Sequence, residues 1–326
     1  MRLAPNDDQI EVLAAVSDVL GAEAAFDRWY APGLDVFAEE DRILSMAAEM
    51  GWFGMAASEA VGGSGGDLVD ECLIMERLGR SIAPIGVIAE FASIHLALAS
   101  QQEALAGGII NGSTRIGLGA ALADGKAFGV HKAQFVLEAD GAGLTLRPIL
   151  DVRDVGVALD ASSSSGSLAV GDTICASNDP ALYIRYQLLI AAMLSGLART
   201  ACEESNAYAK MREQFGRPIG SFQAVRHRIA DMEQRVRQAE AQLYFAAVAQ
   251  RDRRGDMRLQ TLCALLQAGD AAMSNAEANI HNHGAIGTTT ENIGHLLLKR
   301  AILLKALVGG TSHLADEIAE CAPAIM

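Results

Sequence analysis

The segment from residue 211 to residue 232 combines residue types that could bind a nucleotide diphosphate. It reads MREQFGRPIGSFQAVRHRIADM, and we expect one helix to end at Phe215-Gly216 and the next to start after a glycine–proline turn. An arginine beside amides suits a diphosphate, because a guanidinium can bind two oxygens at once. The side chains that the turn would group are Arg212, Gln214, Phe215, Phe222 and Gln223. An ordinary helix hairpin could have the same residues, so residue types alone leave both interpretations open.

Two other motifs predict no ligand site by themselves. Gly62–Asp67 is rich in glycine, but it lacks a following Lys-Ser/Thr and does not follow a strand. A helix–helix connection is therefore favoured over a phosphate-binding loop. His281 and His283 stand two positions apart and would point to different sides of a helix. Since no acidic or cysteine partner lies at ligand spacing, we expect no metal site here.

Residues at both ends of the chain follow a helical periodicity, and the helices that this periodicity predicts must position the residues above. The pattern predicts a mostly α protein, with an N-terminal helical domain over residues 1–110, a β middle domain over residues 111–178 and a C-terminal helical domain over residues 179–326. A helix should run from Pro180 to about Met211 with Asn178 as its candidate N-cap. The small polar stretch Ala161–Ser167, ASSSSGS, is predicted to be a flexible loop.

A second long helix carries the clearest packing pattern. Apolar residues from Val225 to Ala246 recur at alternating steps of four and three, which is typical of a helix packed in a bundle. The members of this stripe are Val225, Ile229, Met232, Val236, Ala239, Leu243 and Ala246.

Composition narrows the function classes. The 326 residues include 26 Lys+Arg and 40 Asp+Glu, a formal net charge of −14, so we expect no nucleic-acid partner. No uninterrupted apolar run reaches the length of a membrane span, and the N-terminus does not read as a secretory signal. The 5 cysteines are scattered, which favours reduced thiols. We therefore expect a cytoplasmic protein that does not associate with membranes.

The 211–232 segment resembles a pattern of the acyl-CoA dehydrogenase family. In that pattern Arg-x-x-Phe-Gly-x-Pro is followed by Ile or Leu, then Phe or His before Gln, and then by a helix with Ala-Asp/Glu-Met. The matching residues here are Arg212, Phe215, Gly216, Pro218, Ile219, Phe222, Gln223, Ala230, Asp231 and Met232.

Two further stretches resemble the same family. His283–Gly287, followed by Glu291 and Leu298–Ala301, is similar to its His-Gly-Gly stretch, although the second glycine is an alanine here. Glu59–Asp67, followed by Glu76–Gly79, is similar to its glycine-rich stretch before Glu-Glu-Leu-Gly. The resemblance covers both ends of the chain and the α–β–α order.

The resemblance implies an FAD-dependent enzyme that removes two hydrogens from the α and β carbons of an acyl-CoA thioester. It implies an N-terminal helical domain, a β middle domain and a C-terminal four-helix bundle, in dimers or tetramers with FAD at the subunit interface. Arginine, aromatic and amide side chains of the turn and backbone of the glycine stretch would contact FAD bound by the neighbouring subunit. The expected FAD-facing residues are Arg212, Gln214, Phe215, Gln223, His281, Gly284 and Gly287.

The catalytic base of the family has no counterpart that we can identify. Many members carry it in a Tyr-Glu-Gly-Thr motif, where this chain reads Val308-Gly309-Gly310-Thr311. Other members carry it on the first helix of the C-terminal bundle, near the position of Arg185 or Tyr186. Neither residue is acidic, and a tyrosine of ordinary pKa is a poor base at neutral pH.

These departures predict a short, degenerate subunit of a hetero-oligomeric acyl-CoA dehydrogenase, of the kind that acts on lipid or steroid fragments. Residues 113–145 lack the family's flavin segment, so we expect a truncated middle domain. A homologous catalytic subunit would carry the base in a heterodimer or heterotetramer. One alternative is a self-sufficient enzyme whose base is Glu291 or Glu90. Another is a flavin-free scaffold or acyl-CoA-binding homologue.

Overall fold

Helices occupy both ends of the chain, as periodicity predicts. The computed structural model describes residues 4–31, 33–119, 125–141 and 143–321, so residues 1–3 and 322–326 of the outer predicted domains lie outside the described residues. The N-terminal helices are α1 Asp7–Glu23, α2 Val36–Glu49, α3 Leu68–Arg80, α4 Gly86–Ala99 and α5 Glu103–Ile110. Short 3-10 segments cover Phe26–Tyr30 and Glu59–Val61.

The middle of the chain forms a small sheet. Its strands are β1 Ile116–Gly119, β2 Lys126–Phe128, β3 Phe135–Ala139, β4 Leu144–Val157, β5 Ser164–Val170 and β6 Cys175–Ser177. The strand order is β3-β1-β2-β5-β4-β6, and a further antiparallel pairing of β3 with β4 closes the sheet on itself. The β1–β3 pair is parallel, while the other pairs of this sheet are antiparallel in the described residues. The long strand β4 bends at irregularities in its register with β5.

The C-terminal helices pack around the helix Met257–His283. They are α6 Pro180–Met211, α7 Gln223–Arg251, α8 Met257–His283, α9 Gly294–Ala306 and α10 Gly310–Cys321, with a 3-10 segment at Gly284–Thr288. Between α6 and α7 lie the two short strands β7 Glu213–Gln214 and β8 Arg217–Pro218, followed by a 3-10 segment at Ile219–Ser221. The mostly α prediction, with helical ends and a β middle, is confirmed.

Helix α6 begins and ends where the sequence predicts, but its cap is different. The side chain of Asp179 accepts a hydrogen bond from the Ala181 N–H at 2.9 Å, so Asp179 is the N-cap rather than Asn178. By length and composition α6 could cross a membrane, but 78% of its most apolar window is buried inside the fold. That burial is typical of a core helix.

The apolar stripe of α7 faces the bundle over most of its length. Met232, Val236 and Ala239 are fully buried, and Leu243 and Ala246 continue this face. Val225 and Ile229 are only partly buried because the first turns of α7 lie at the open end of the bundle.

The predicted flexible loop Ala161–Ser167 is wrong. Ser162, Ser163 and Ser164 are fully buried, and β5 starts at Ser164. The Ser163 hydroxyl accepts the Ile85 N–H at 2.9 Å, and the Ser164 hydroxyl accepts the His131 N–H at 2.9 Å. These serines stay buried because their hydroxyls satisfy backbone donors of other segments.

A buried guanidinium joins the three regions of the chain. Arg300 on α9 has no exposed surface, and its Nε and Nη2 donate to the carboxylate of Asp160 and the hydroxyl of Ser162. Its Nη1 donates to the carbonyl of Ala83, between α3 and α4, at 2.6 Å. One side chain of the C-terminal region therefore holds both the sheet region and the N-terminal helices.

Replacing Arg300 with methionine should lower the free energy of unfolding by about 3–5 kcal/mol, because the buried Asp160 would lose its counter-ion. Urea denaturation followed by circular dichroism measures the loss. Arg258→Met is the control, since Arg258 pairs with Glu317 at 2.9 Å at an exposed site and should contribute much less. Equal losses in the two variants would contradict the assignment.

Two buried carboxyl groups predict a pH dependence of stability. Burial raises the pKa of Glu90 to about 8 and that of Glu40 to about 7, from the ordinary value of 4.5. The folded chain therefore keeps protons that the unfolded chain has released, and stability falls as pH rises from about 5 to about 8.

Glu90→Gln should remove about 3–4 kcal/mol of that fall, because the amide oxygen can still accept the Ile116 N–H, which the carboxyl accepts at 3.0 Å, but cannot ionise. Urea denaturation at a series of pH values tests this. The exposed Glu291→Gln should keep the wild-type slope. An unchanged slope in the Glu90 variant would show that this carboxyl does not titrate on unfolding.

Candidate functional site

The predicted nucleotide-binding segment folds as a small β-hairpin. Helix α6 ends at Met211, as the helical pattern predicts, so the helix end that we expected at Phe215-Gly216 from the motif is wrong, and these two residues form the tip of the hairpin. Gln214 pairs with Arg217, so the tip is a two-residue turn. Phe215 and Gly216 both have positive φ values, +54° and +76°, as the tight turn between twisted strands requires. The start of α7 at Gln223 agrees with the prediction.

The hairpin presents its side chains to the outside. The Phe215 ring is 91% exposed and meets Phe222 edge-on, with ring centroids 6.1 Å apart. The guanidinium carbon of Arg217 lies 4.3 Å from the Phe222 ring centroid, a cation–π contact. Both rings and this cation therefore form one exposed aromatic surface.

The predicted polar residues of the hairpin are equally accessible. Arg212, Gln214 and Gln223 are exposed, and no described acidic side chain forms an ion pair with Arg212. The Gln214 amide donates to the Glu213 carbonyl at 2.8 Å. The backbone closes the base of the hairpin, where the Ile219 N–H donates to the Arg212 carbonyl at 2.8 Å. An exposed guanidinium with neighbouring amides fits the diphosphate of FAD.

The second predicted group lies at the end of α8. His281 is exposed, whereas His283 is buried, so the two imidazoles do point to different sides. In the described residues no three His, Cys, Asp or Glu side chains are grouped as metal ligands. Gly284 ends the helix at φ +63°, and Gly287 is buried with its α-carbon against the backbone of Ile280.

The two predicted groups lie at the same end of the bundle. The Asn282 amide joins α8 to Ser205 on α6 and to Arg228 on α7. The His283 ring stacks on the Tyr208 ring with centroids 4.0 Å apart. The predicted residues themselves form no hydrogen bond across the two groups within the described ranges, so the residues between them make the connection.

The turn after α9 has a backbone conformation that disfavours a carboxylate-bearing residue. Gly309 has a φ of +78°, a conformation that residues with a side chain rarely adopt. A Cβ at this position would lie 2.4 Å from Cδ2 of His313, so the imidazole occupies the space where a side chain would begin. The family's base position therefore lacks an acid and is filled by another residue.

A cleft of about 600 Å³ opens beside Gly309, between the sheet and α6. Tyr183 and Gln187 of α6 line it, rather than the Arg185 and Tyr186 that counting along the sequence indicated. Burial and the nearby Glu317 raise the pKa of Tyr183, so this phenol stays protonated at neutral pH. Glu138, Asp140 and Glu317 also line the cleft, and none of its described lining residues is lysine or arginine.

The other residues considered as bases are poorly placed. Glu90 is fully buried and binds a backbone N–H, whereas Glu291 lies exposed in the turn before α9. Arg185 donates to the buried carboxylate of Glu71, and burial raises the pKa of Tyr186. None of these four residues, which are the base positions that the sequence suggested, is placed to abstract a proton in the cleft.

Sequence reasoning missed the residues that organise this end of the bundle. Arg217 occupies a variable position of the motif, and Tyr208 and Asn282 lie outside the quoted patterns. Helical spacing offered one signal, since Ser205 and Tyr208 share a face of α6 three residues apart.

The sequence matches two domain families. Residues 6–106 match the acyl-CoA dehydrogenase N-terminal domain, and residues 186–320 match the acyl-CoA dehydrogenase C-terminal domain. The chain is 32% identical to acyl-CoA dehydrogenase FadE34 of Mycobacterium tuberculosis over 285 residues, 82% of this chain, but spans only 40% of that protein.

Solved structures share the whole fold. The Tcur3481-Tcur3483 steroid ACAD G363A variant superposes with a TM-score of 0.81 at 22% identity, covering 97% of both chains. A chain of the ChsE4-ChsE5 complex from Mycobacterium tuberculosis gives a TM-score of 0.81 at 20% identity, covering 99% of this chain and 100% of that one. At these identities the likeness establishes the fold alone.

Acyl-CoA dehydrogenase IpdE2 of Mycobacterium tuberculosis is a relative that matches in length as well as in sequence. It is 30% identical over 259 residues, which are 78% of this chain and 78% of that protein. With both characteristic domains present and in order, this chain belongs to the acyl-CoA dehydrogenase family.

Proposed function

We propose that this chain is a non-catalytic subunit of a flavin-dependent acyl-CoA dehydrogenase. Its hairpin would complete an FAD site in a homologous partner subunit, and that partner would carry the proton-abstracting carboxylate. FAD, when bound, would supply the electron acceptor for α,β-dehydrogenation of an acyl-CoA thioester. The observation that carries the proposal is the turn at Gly309, which has no carboxylate and whose positive φ disfavours any residue with a side chain.

The charged residues around the cleft also support an FAD site that lies in the partner subunit. Three acidic residues line the cleft and its described lining includes no lysine or arginine, although Glu138 and Glu317 each pair with an arginine outside the lining, Arg147 at 3.7 Å and Arg258 at 2.9 Å. The described lining therefore offers the phosphates of FAD and of CoA no lysine or arginine as a partner. This chain's own cleft is therefore a poor place for either nucleotide.

The hairpin has the opposite character. Arg212 and Arg217 are exposed on the hairpin that carries the exposed Phe215 ring, and neither forms an ion pair with any described acidic residue. An exposed aromatic ring beside unpaired guanidinium groups is unusual for a surface that only contacts water. Such a surface suits a flat, anionic nucleotide that another polypeptide holds.

The names of related structures guide the choice of partner and substrate. Two of them, the ChsE4-ChsE5 complex and the Tcur3481-Tcur3483 steroid ACAD, each name two components. We infer a heterodimer or heterotetramer with a homologous subunit, and a steroid-derived acyl-CoA as the first substrate to test.

Co-expression with an acyl-CoA dehydrogenase subunit encoded next to this chain tests the proposal. We expect the chain alone to be colourless, and the complex to carry FAD in visible absorbance and to contain both subunits by native mass spectrometry. Full FAD occupancy with dehydrogenation by the lone chain would favour a self-sufficient enzyme. A complex that remains colourless would favour a flavin-free scaffold.

Arg212→Gln should weaken FAD binding by that complex about tenfold, since one charge-assisted contact to phosphate is lost. Fluorescence titration of the flavin-depleted complex measures the Kd. Arg258→Gln, near the start of α8 and thus at the other end of the bundle, should leave the Kd unchanged. If the two variants bind FAD equally well, Arg212 does not face the cofactor.

Gly309→Ala should destabilise the chain by about 1–2 kcal/mol, because alanine at this positive φ is strained. His313→Ala should remove the added steric conflict, so the double variant should be more stable than the sum of the single changes predicts. Urea denaturation of all four proteins measures this coupling. Strict additivity would show that the imidazole does not fill the space beside Gly309.

A further inference from the structure

We infer that Asn282 and the stacked pair of His283 and Tyr208 are positioning residues that hold the α6–α7 hairpin and the α8–α9 loop as one unit. This inference rests on the proposed function, because the unit would be the face offered to FAD in the partner subunit. It concerns residues that contact neither the cofactor nor the substrate.

The Asn282 side chain connects three helices at the base of both segments. Its Nδ2 donates to the Ser205 hydroxyl at 2.5 Å, and its Oδ1 accepts from Arg228 Nη1 at 2.6 Å. Ser205 lies within two turns of the end of α6, and Arg228 lies within two turns of the start of α7. Asn282 thus bonds to both helices that flank the hairpin, and it lies on the helix that leads into the glycine loop, residues 284–288.

A ring stack makes a second, independent connection. The His283 and Tyr208 rings lie at 4.0 Å between centroids with planes 26° apart. His283 Nδ1 donates to the Asn279 carbonyl at 2.9 Å, which fixes the orientation of the ring. Since Gly284 follows His283 directly, the stack sets the point where the glycine loop begins.

The hairpin depends on such support because its own strands are short and exposed. Residues 211–218 are all exposed, and the two strands of the hairpin are two residues long. A two-stranded ribbon of this size is not stable by itself in water. Its position relative to the glycine loop must therefore come from the helices at its base.

The bundle contains a matched control for Asn282. Asn275 lies on the same face of α8, two turns deeper. Its Nδ2 donates to the carbonyls of Ala198 on α6 and Met232 on α7, each at 3.1 Å, and Arg235 Nη1 contacts its Oδ1 at 3.4 Å. Both asparagines thus bridge the same three helices with an arginine from α7, but only Asn282 adjoins the hairpin and the loop.

Hydrogen exchange of the full chain, measured by mass spectrometry, tests the inference without flavin. Asn282→Ala should accelerate exchange about tenfold in residues 213–221 and 284–288 together, as expected for the loss of a hydrogen bond to a charged group. Asn275→Ala should leave both segments at the wild-type rate while lowering the thermal midpoint by a similar amount. Equal acceleration in both variants, or acceleration of only one segment in the Asn282 variant, would overturn the inference.

Substitutions at Tyr208 test the ring stack by conservative rescue. Tyr208→Phe keeps a ring against His283 and should exchange like wild type, whereas Tyr208→Leu should accelerate both segments. If phenylalanine and leucine behave alike, the stack has no positioning role.

The co-expressed complex then separates this inference from the proposed function. Asn282→Ala should raise the Kd for FAD about tenfold, and Asn275→Ala should leave it unchanged. An unchanged Kd for Asn282→Ala in a complex that binds FAD would overturn the positioning role. A wild-type complex without FAD would refute the proposed function, and the exchange result would still decide whether the two segments are coupled.

Discussion

The buried guanidinium of Arg300 is the interaction on which the architecture depends. A charge without exposed surface is tolerated only when its hydrogen-bond capacity is met, and its partners here come from the sheet region and the turn between α3 and α4. The three regions therefore cannot shift independently without leaving that charge unsatisfied. Because Arg300 lies on α9, the same contacts hold the helix that leads to the turn at Gly309, nine residues after Arg300.

Hydrophobic periodicity predicted the elements whose positions depend on apolar packing. The limits of α6 and the buried face of α7 follow from the pattern because each buried turn removes apolar surface from water. For the serines from 162 to 164 the same reasoning gave a wrong prediction. Small polar residues look like a solvent loop by composition, and their burial depends on donors at Ile85 and His131, distant in sequence. A single sequence holds no signal for such long-range partners.

The sequence likewise predicted some features of the candidate site and not others. The resemblance placed the hairpin motif on the correct connection, but residue patterns alone predicted a helix end at Phe215 where the chain forms a two-residue β-turn. Phe215 adopts a positive φ, which aromatic residues rarely do, so local propensity argued against the observed turn. Asn282 escaped notice because its role depends on the alignment of three helices, which the sequence does not specify locally.

Electrostatics explains how an acidic chain can still offer a surface to an anion. At physiological ionic strength the field of a charge is screened within about 8 Å, so the local set of charges decides binding and the formal net charge of −14 matters less. Residues 211–218 of the hairpin include two exposed arginines, Arg212 and Arg217, and one acidic residue, Glu213. The cleft beside Gly309 has three acidic residues and no lysine or arginine in its described lining. Under the proposed function, the hairpin is therefore the more favourable of the two surfaces for an anionic dinucleotide.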